Sequence, residues 1–260
     1  MGENYLLLKA SDRVSSFDRH MGIIPGKGEL LNKMSKYWFN KTKHIIPNHL
    51  LSTEKNVALV KRCKPIMLEI VVRGYITGST STSLWTHYKN NERNYCGITL
   101  PDGLQKNQIL KQPIITPTTK GKIDKPISKQ EIINEGYLNE TECDFIFEKA
   151  LELFNYGQSI ASKAGFILVD TKYEFGRDSE GNIILMDELH TCDSSRYWKA
   201  DTYNELFLNN KEPEKIDKDI IRDWIKKKCN PYLDNIPKIP DNLIKKEEDI
   251  YNYFYLLLYN

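Results

Sequence analysis

The stretch Phe166-Ile167-Leu168-Val169-Asp170-Thr171-Lys172-Tyr173-Glu174-Phe175 decides the reading of the fold, together with Ile183-Ile184-Leu185-Met186-Asp187-Glu188 beyond the turn Asp178-Ser179-Glu180-Gly181-Asn182. Residues 166–169 and 183–186 read as strands, and the Asp, Gly and Asn residues between them make a good hairpin turn. A period of two places Asp170, Lys172 and Glu174 on one face of the strand. Three charges on a strand that also carries Ile167, Val169 and Phe175 are costly to bury unpaired. A hard divalent cation would remove that cost, because Mg²⁺ takes one or two carboxylates together with phosphate oxygens and water. A solvated hairpin face with a Lys172 salt bridge accounts for the same residues, so the hairpin alone does not choose between the two.

Working outward, Thr141 is expected to cap a helix whose apolar face runs through Phe147, Ala150, Leu151, Phe154 and Ile160, with Asp144 at the box position and Gly165 as the stop. Residues 5–10 read as a strand. A helix from Gly28 follows, with Leu30, Leu31, Met34, Tyr37 and Trp38 at spacings of three and four. Residues 57–61 and 67–72 read as strands separated by a Cys63-Lys64-Pro65 break. Ser79 to Ser83 offer N-caps for a helix through Trp85 and Tyr88. From there to about Asn139 the prolines 101, 113, 117 and 126 predict a long irregular segment bordering a site. Two more helices are expected at 217–228 and 243–258. The class is α+β.

Composition narrows the function. A chain of 260 residues holds one large or two modest domains. The 37 basic and 35 acidic residues leave a net charge of +2, with no overall field for a nucleic-acid backbone or an anionic membrane. Mean hydropathy is −0.53 and no apolar run reaches the roughly 18 residues of a membrane span. The start lacks the pattern of a signal peptide. Five widely spaced cysteines without a CxxC pair fit reduced thiols, and a cytoplasmic location is expected.

Two further stretches suit anions. Arg73-Gly74-Tyr75-Ile76-Thr77-Gly78-Ser79 leaves a strand through two glycines and delivers a hydroxyl and backbone amides. Asp193-Ser194-Ser195-Arg196 again pairs hydroxyls with a guanidinium. Only eight of the 37 basic residues are Arg, yet Arg13, Arg73 and Arg196 all sit in Ser-, Asp- or Gly-rich turns, where a planar fork binds phosphate or carboxylate as Lys cannot. Gly26-Lys27-Gly28 is too short for a phosphate loop and reads as a turn. Lys226-Lys227-Lys228 reads as a solvated helix face.

Five colinear stretches carry a resemblance: residues 10–18 (ASDRVSSFD), 68–79 (LEIVVRGYITGS), 115–120 (ITPTTK), 168–176 (LVDTKYEFG) and 186–198 (MDELHTCDSSRYW). The chain resembles the SAICAR synthetase (phosphoribosylaminoimidazole-succinocarboxamide synthase) family over nearly its whole length. The resemblance implies a small antiparallel-sheet ATP-binding domain, residues 1–68, and a larger mixed catalytic and substrate-binding domain, residues 69–260, with the active-site cleft between them. It implies an ATP-dependent ligase of purine biosynthesis with three partners: ATP, carboxyaminoimidazole ribonucleotide and L-aspartate. The ribonucleotide carboxylate would be activated as an acyl phosphate and captured by the aspartate amine, giving SAICAR, ADP and phosphate. A homo-oligomer is left open.

On that resemblance Glu174 and Asp187 hold Mg²⁺ with Asp170 nearby, and Lys172, Asp170 and Lys120 serve the chemistry. Arg73, Ser79 and Arg196 bind the ribonucleotide phosphate, with Asp12, Arg13, Ser15 and Ser195 helping. Pro65, Ile66, Met67 and Glu69 line the ATP site, and Lys120 and Asp124 face the aspartate. Met67 and Cys192 stand where the family usually has proline. The family pattern also opens with a Gly-Lys turn between two strands, and no Gly-Lys pair precedes Tyr5. The expectation is therefore a family member shortened at its N-terminus. The alternative is a catalytically silent ribonucleotide-binding form without the ATP phosphate loop.

Overall fold

Two long antiparallel strands form the spine of the molecule, a computed structural model that describes residues 4–16, 19–121, 124–216 and 219–259. Phe17 and Asp18 of the first matched stretch, and Asp217 at the expected start of a helix, lie outside the described residues. In chain order the elements begin with β1 (Tyr5–Lys9), β2 (Arg13–Ser16), β3 (Arg19–Ile23), α1 (Lys27–Lys41), β4 (Leu50–Glu54), β5 (Val57–Lys61) and β6 (Lys64–Tyr75). Next come α2 (Leu84–Lys89), β7 (Asn94–Tyr95), β8 (Ile98–Thr99), β9 (Ile109–Ile115), β10 (Thr118–Thr119), α3 (Lys129–Asn134) and α4 (Glu140–Lys163). The chain continues through β11 (Phe166–Arg177), β12 (Ile183–Met186), β13 (Ser195–Lys199), α5 (Ala200–Leu208), α6 (Asp219–Lys228) and α7 (Asp241–Tyr259).

A three-stranded antiparallel sheet, β1-β5-β4, is drawn from residues 5–61. The larger sheet is built on β6 and β11, paired antiparallel from Asp170 opposite Arg73 to Arg177 opposite Lys64. Both strands are twelve residues long, so each outer edge carries two partners: β9 and β10 on β6, β12 and β13 on β11. One face of this sheet is closed by the main core, where Leu68, Ile70, Val72 and Tyr173 meet Ile146, Ala150, Leu153 and Phe154 of α4. The other face carries the charges.

Local sequence explains most elements and corrects three expectations. The long helix starts earlier than Thr141: Asn139 accepts the Glu142 amide at 2.9 Å and Glu142 returns to the Asn139 amide, a reciprocal cap that satisfies two orphan donors. The first strand of the hairpin does not stop at Val169 but runs to Arg177, because residues flanked by strands on both sides need no alternation to stay extended. The segment between the helix through Trp85 and Tyr88, which forms as α2, and Asn139 contains β7, β8, β9, β10 and α3 and is not irregular. Pro113 sits inside β9, which pairs with β6 along one side only, the sheet position where a missing N–H is tolerated.

A second cluster joins the β2–β3 hairpin (Val14, Met21, Ile24) to Ile221 and Ile225 of α6 and to Ile239. Among the described residues no helix is long and apolar enough to cross a membrane.

Candidate active site

Register does the assembly. On the charged face Glu69 stands directly opposite Glu174, and Arg73 directly opposite Asp170, with Lys172 between the two pairs. Two carboxylates side by side across a strand pair repel each other. Lys172 resolves this by donating to Glu174 at 2.9 Å, Glu69 at 3.2 Å and Asp187 at 3.4 Å. Lys120, just past β10, donates to the other oxygen of Glu174. Burial alone would lower the Lys172 ammonium, but Asp187, Glu174 and Glu69 hold it well above the ordinary lysine value. Glu174 shows the converse: burial pushes its carboxyl up, and Lys172 with Lys120 brings it below the usual range. Asp187 keeps one side open to solvent. Desolvation by the protein around it and the neighbouring Glu174 nonetheless hold its carboxyl above the ordinary value. Its backbone lies in the left-handed region at φ 67°, a strain that marks a fixed position.

The opposite end of the same face is cationic. Arg73, buried, donates from Nε to Thr116 at 2.8 Å and from Nη2 to the Thr82 carbonyl at 3.2 Å. Asp170 lies 3.6 Å from Arg73 and is bound by Arg196 across the β11–β13 pair. Thus Asp170 orients two guanidiniums. At about 3.3 Å per residue, four residues of β11 separate the guanidinium end from the Glu174 end by about 13 Å.

A cavity of about 440 Å³ opens between the smaller sheet, α1 and the segment after β12. Arg13, Ser15, Lys27, Asp187, Glu188 and Asp193 line it. Asp12, expected at a nucleotide pocket, accepts the Gly26 and Gly28 amides at 3.1 and 2.9 Å and caps α1. Ser195 is buried, its hydroxyl 2.7 Å from that of Thr171. Ile66 points into the core, while Pro65 and Met67 are exposed and the Met67 carbonyl accepts the Lys120 amide at 3.1 Å. Asp124 is exposed, immediately after residues 122–123, which lie outside the described set.

Two residues beside the candidate site are not singled out by the sequence, and a third, Glu188, reads there only as part of the acidic hairpin. Lys27, read as part of a turn, is buried and donates to Asp193 at 2.6 Å and to the Arg13 carbonyl at 3.0 Å. Lys226, read as solvated, donates to Ser79 Oγ at 2.7 Å. Glu188 is raised to about 7, first by desolvation and then by Asp193 and Asp187. A lysine between two glycines gave a sequence signal for the first and the acidic hairpin one for Glu188; Lys226 depends on tertiary placement alone.

Buried histidines beside the site make the fold acid-labile. His190, against Trp38 and bonded to Tyr173 at 2.6 Å, is pulled by burial to about 3, and His49 to about 4. An unfolded histidine titrates near 6.5, so as pH falls below that value the unfolded chain binds protons that the folded chain refuses. Stability present above pH 6.5 is therefore lost on the way to pH 4, by on the order of 3 kcal/mol for His49. The urea midpoint is expected to fall over that range and His49→Gln to flatten the slope; a midpoint level from pH 7 to 4.5 would contradict this.

The sheet frame and the opposed charged ends of its open face define the class as an α+β protein with a candidate active site suited to anions. A profile of the SAICAR synthetase family matches residues 1–239. The chain is 53% identical over 242 residues to the phosphoribosylaminoimidazole-succinocarboxamide synthase of Legionella pneumophila (strain Lens), covering 92% of this chain and 78% of that protein. Its fold is similar to the SAICAR synthase of Saccharomyces cerevisiae complexed with SAICAR, with a TM-score of 0.83, 31% identity, and 99% of this chain and 89% of that chain covered. A SAICAR synthetase in complex with ADP matches with a TM-score of 0.73 and 26% identity, over 98% of this chain and 92% of that chain. The chain belongs to the SAICAR synthetase family, ligases of purine biosynthesis.

Proposed function

We propose that the protein joins L-aspartate to the carboxylate of carboxyaminoimidazole ribonucleotide at the expense of ATP, through an acyl phosphate. The observation that carries this reading is the single charged face of β6 and β11, cationic at Arg73 and carboxylate-rich at Glu174. Its span of about 13 Å suits a nucleotide whose phosphate sits at one end and whose base carboxylate reaches the other. In the first step a carboxylate oxygen attacks the γ-phosphorus and the bond to the β-phosphate oxygen breaks, releasing ADP. In the second the aspartate amine attacks the acyl carbon, a C–N bond forms, the bond from the acyl carbon to the phosphate oxygen breaks, and the proton lost by the amine leaves with the departing phosphate or to solvent.

In this reading Arg73, Ser79 and Arg196 take the ribonucleotide phosphate, and Asp170 sets the two guanidiniums at the angle a phosphate needs. Arg13 and Ser15 contact the nucleotide across the cavity; Asp12 fixes their turn, and Ser195 ties β13 to β11 through the Thr171 hydroxyl next to Arg196. Lys172 and Lys120 stabilise charge on the reacting carboxylate and the transferring phosphoryl group. Asp124 joins Lys120 in facing the aspartate. The adenine lies against residues 65–67, with Glu69 beneath it, where the 1–68 and 69–260 units meet.

The residues suit Mg²⁺. Glu69, Glu174 and Asp187 set three carboxylates against the two ammonium groups of Lys120 and Lys172, and Asp187 keeps one side open to solvent. That matches an ion held by one or two carboxylates plus substrate phosphates. Glu174 and Asp187 would hold it, and it would neutralise phosphoryl charge.

The test is ADP release with Mg²⁺-ATP, carboxyaminoimidazole ribonucleotide and L-aspartate, omitting each in turn. Turnover requiring all three is expected. Release of ADP that ignores aspartate, or ribonucleotide binding with no turnover, would overturn the ligase reading.

A further inference from the structure

Helix α6 carries Lys226, Lys227 and Lys228 in its last turn, and only the first is turned inward. Lys227 and Lys228 are exposed, whereas Lys226 is half-buried and donates to both Ser79 Oγ (2.7 Å) and the Ser79 carbonyl (3.2 Å), 147 residues away in sequence. The contact is held from both sides. Ile221 and Ile225 lock α6 onto Val14, Met21 and Ile24, in the hairpin that also presents Arg13 and Ser15. Ser79 follows Gly78, whose φ of 101° and lack of a Cβ let the loop close on Ser83, with the Thr80 amide donating to Ser83 Oγ at 2.9 Å. Arg73 binds the same loop at the Thr82 carbonyl.

Proton direction follows from this geometry. An ammonium only donates, so Ser79 Oγ must accept from Lys226, and the hydroxyl's own proton is left to point elsewhere. A hydroxyl that receives a hydrogen bond from a cation is polarised and becomes a stronger donor to an anion on its far side.

We infer that Lys226 is a positioning residue for the 5′-phosphate of the ribonucleotide: it fixes Ser79 as a donor and places a positive charge behind it, making the site selective for phosphorylated over unphosphorylated substrate. The inference rests on the reading of Arg73, Ser79 and Arg196 as the phosphate end. Because α6 also packs on the Arg13 hairpin, the same contact ties the two substrate-facing loops together.

The test is steady-state kinetics on the full chain. Lys226→Met and Lys226→Gln should each raise the KM for the ribonucleotide about tenfold, with kcat and the KM for ATP and for aspartate changed less than twofold. Lys226→Arg should recover most of the loss. Lys227→Met, which removes the same charge one residue away, should have no effect. Added to Ser79→Ala, Lys226→Met should cost much less than it does alone, because the two act as one unit. Inhibition by ribose 5-phosphate should weaken in Lys226→Met, while inhibition by the unphosphorylated ribonucleoside should not change.

An unchanged ribonucleotide KM in Lys226→Met, an equal effect in Lys227→Met, or full additivity with Ser79→Ala would overturn the inference. If Ser79→Ala and Arg73→Lys raise that KM while Lys226→Met does not, only the role of Lys226 fails. If none of the three moves it, the phosphate end itself has been misassigned.

Discussion

Lys172→Met should lower kcat by about two to three orders of magnitude while leaving the protein folded. Three carboxylates, Glu69, Glu174 and Asp187, lie within 3.4 Å of this one ammonium. Removing it leaves Lys120 as the cation bonded to Glu174, and the facing Glu69–Glu174 pair loses its bridge. Such a site relaxes in one of two ways. The carboxylates take up a proton, or their side chains turn apart toward the solvent-open side. Either removes the arrangement proposed to meet the developing charge of phosphoryl transfer. Lys172→Arg keeps the charge but replaces a compact ammonium with a planar fork that cannot address three carboxylates from one point, so an intermediate loss of about tenfold is expected. Measured at saturating substrates, a kcat for Lys172→Met within fivefold of the parent would show that Lys172 serves only to hold the strands together.

How much of this was legible in the sequence follows the range of the interactions. The alternation of Asp170, Lys172 and Glu174 fixes a shared face, because a strand's side chains obey a period of two whatever surrounds them. That Glu69 stands opposite Glu174, and Arg73 opposite Asp170, is a matter of register between residues about a hundred positions apart, and no local pattern carries it. Family resemblance supplied what local physics could not, but it named roles without partners. It implies a place for Asp12 at the nucleotide pocket and for Ser195 at the phosphate; the structure adds the partners, the first turn of α1 for Asp12 and the Thr171 hydroxyl for Ser195. Lys226 shows the limit most clearly. A run of three lysines at a helix end is solvated by default, and only the packing of Ile221 and Ile225 decides which of the three turns inward.

Lys27→Met should destabilise the fold by about 3–5 kcal/mol, the usual cost of removing one member of a buried ion pair. The Lys27 side chain is 3% exposed and its ammonium is 2.6 Å from Asp193, whose other oxygen accepts the Tyr251 hydroxyl at 2.9 Å. The same ammonium holds the Arg13 carbonyl. Lys27 therefore joins α1, the β2 strand, the segment before β13 and α7 at one point. Its position is set by Gly28, where a Cβ would lie 2.5 Å from the Ala10 carbonyl oxygen, so α1 begins closer to the chain leaving β1 than another residue would allow. Methionine fills the volume but leaves the Asp193 carboxylate without its ammonium in a desolvated site. At roughly 2–4 °C per kcal/mol for a chain of this size, the melting temperature should drop by on the order of 10 °C. If the penalty is the stranded charge and not the lost packing, Lys27→Met with Asp193→Asn should recover a large part of it, since a neutral amide still accepts from Tyr251. A double variant as unstable as the sum of the singles would show the ion pair to be energetically neutral, and would leave the joint to the packing of α1 against α7.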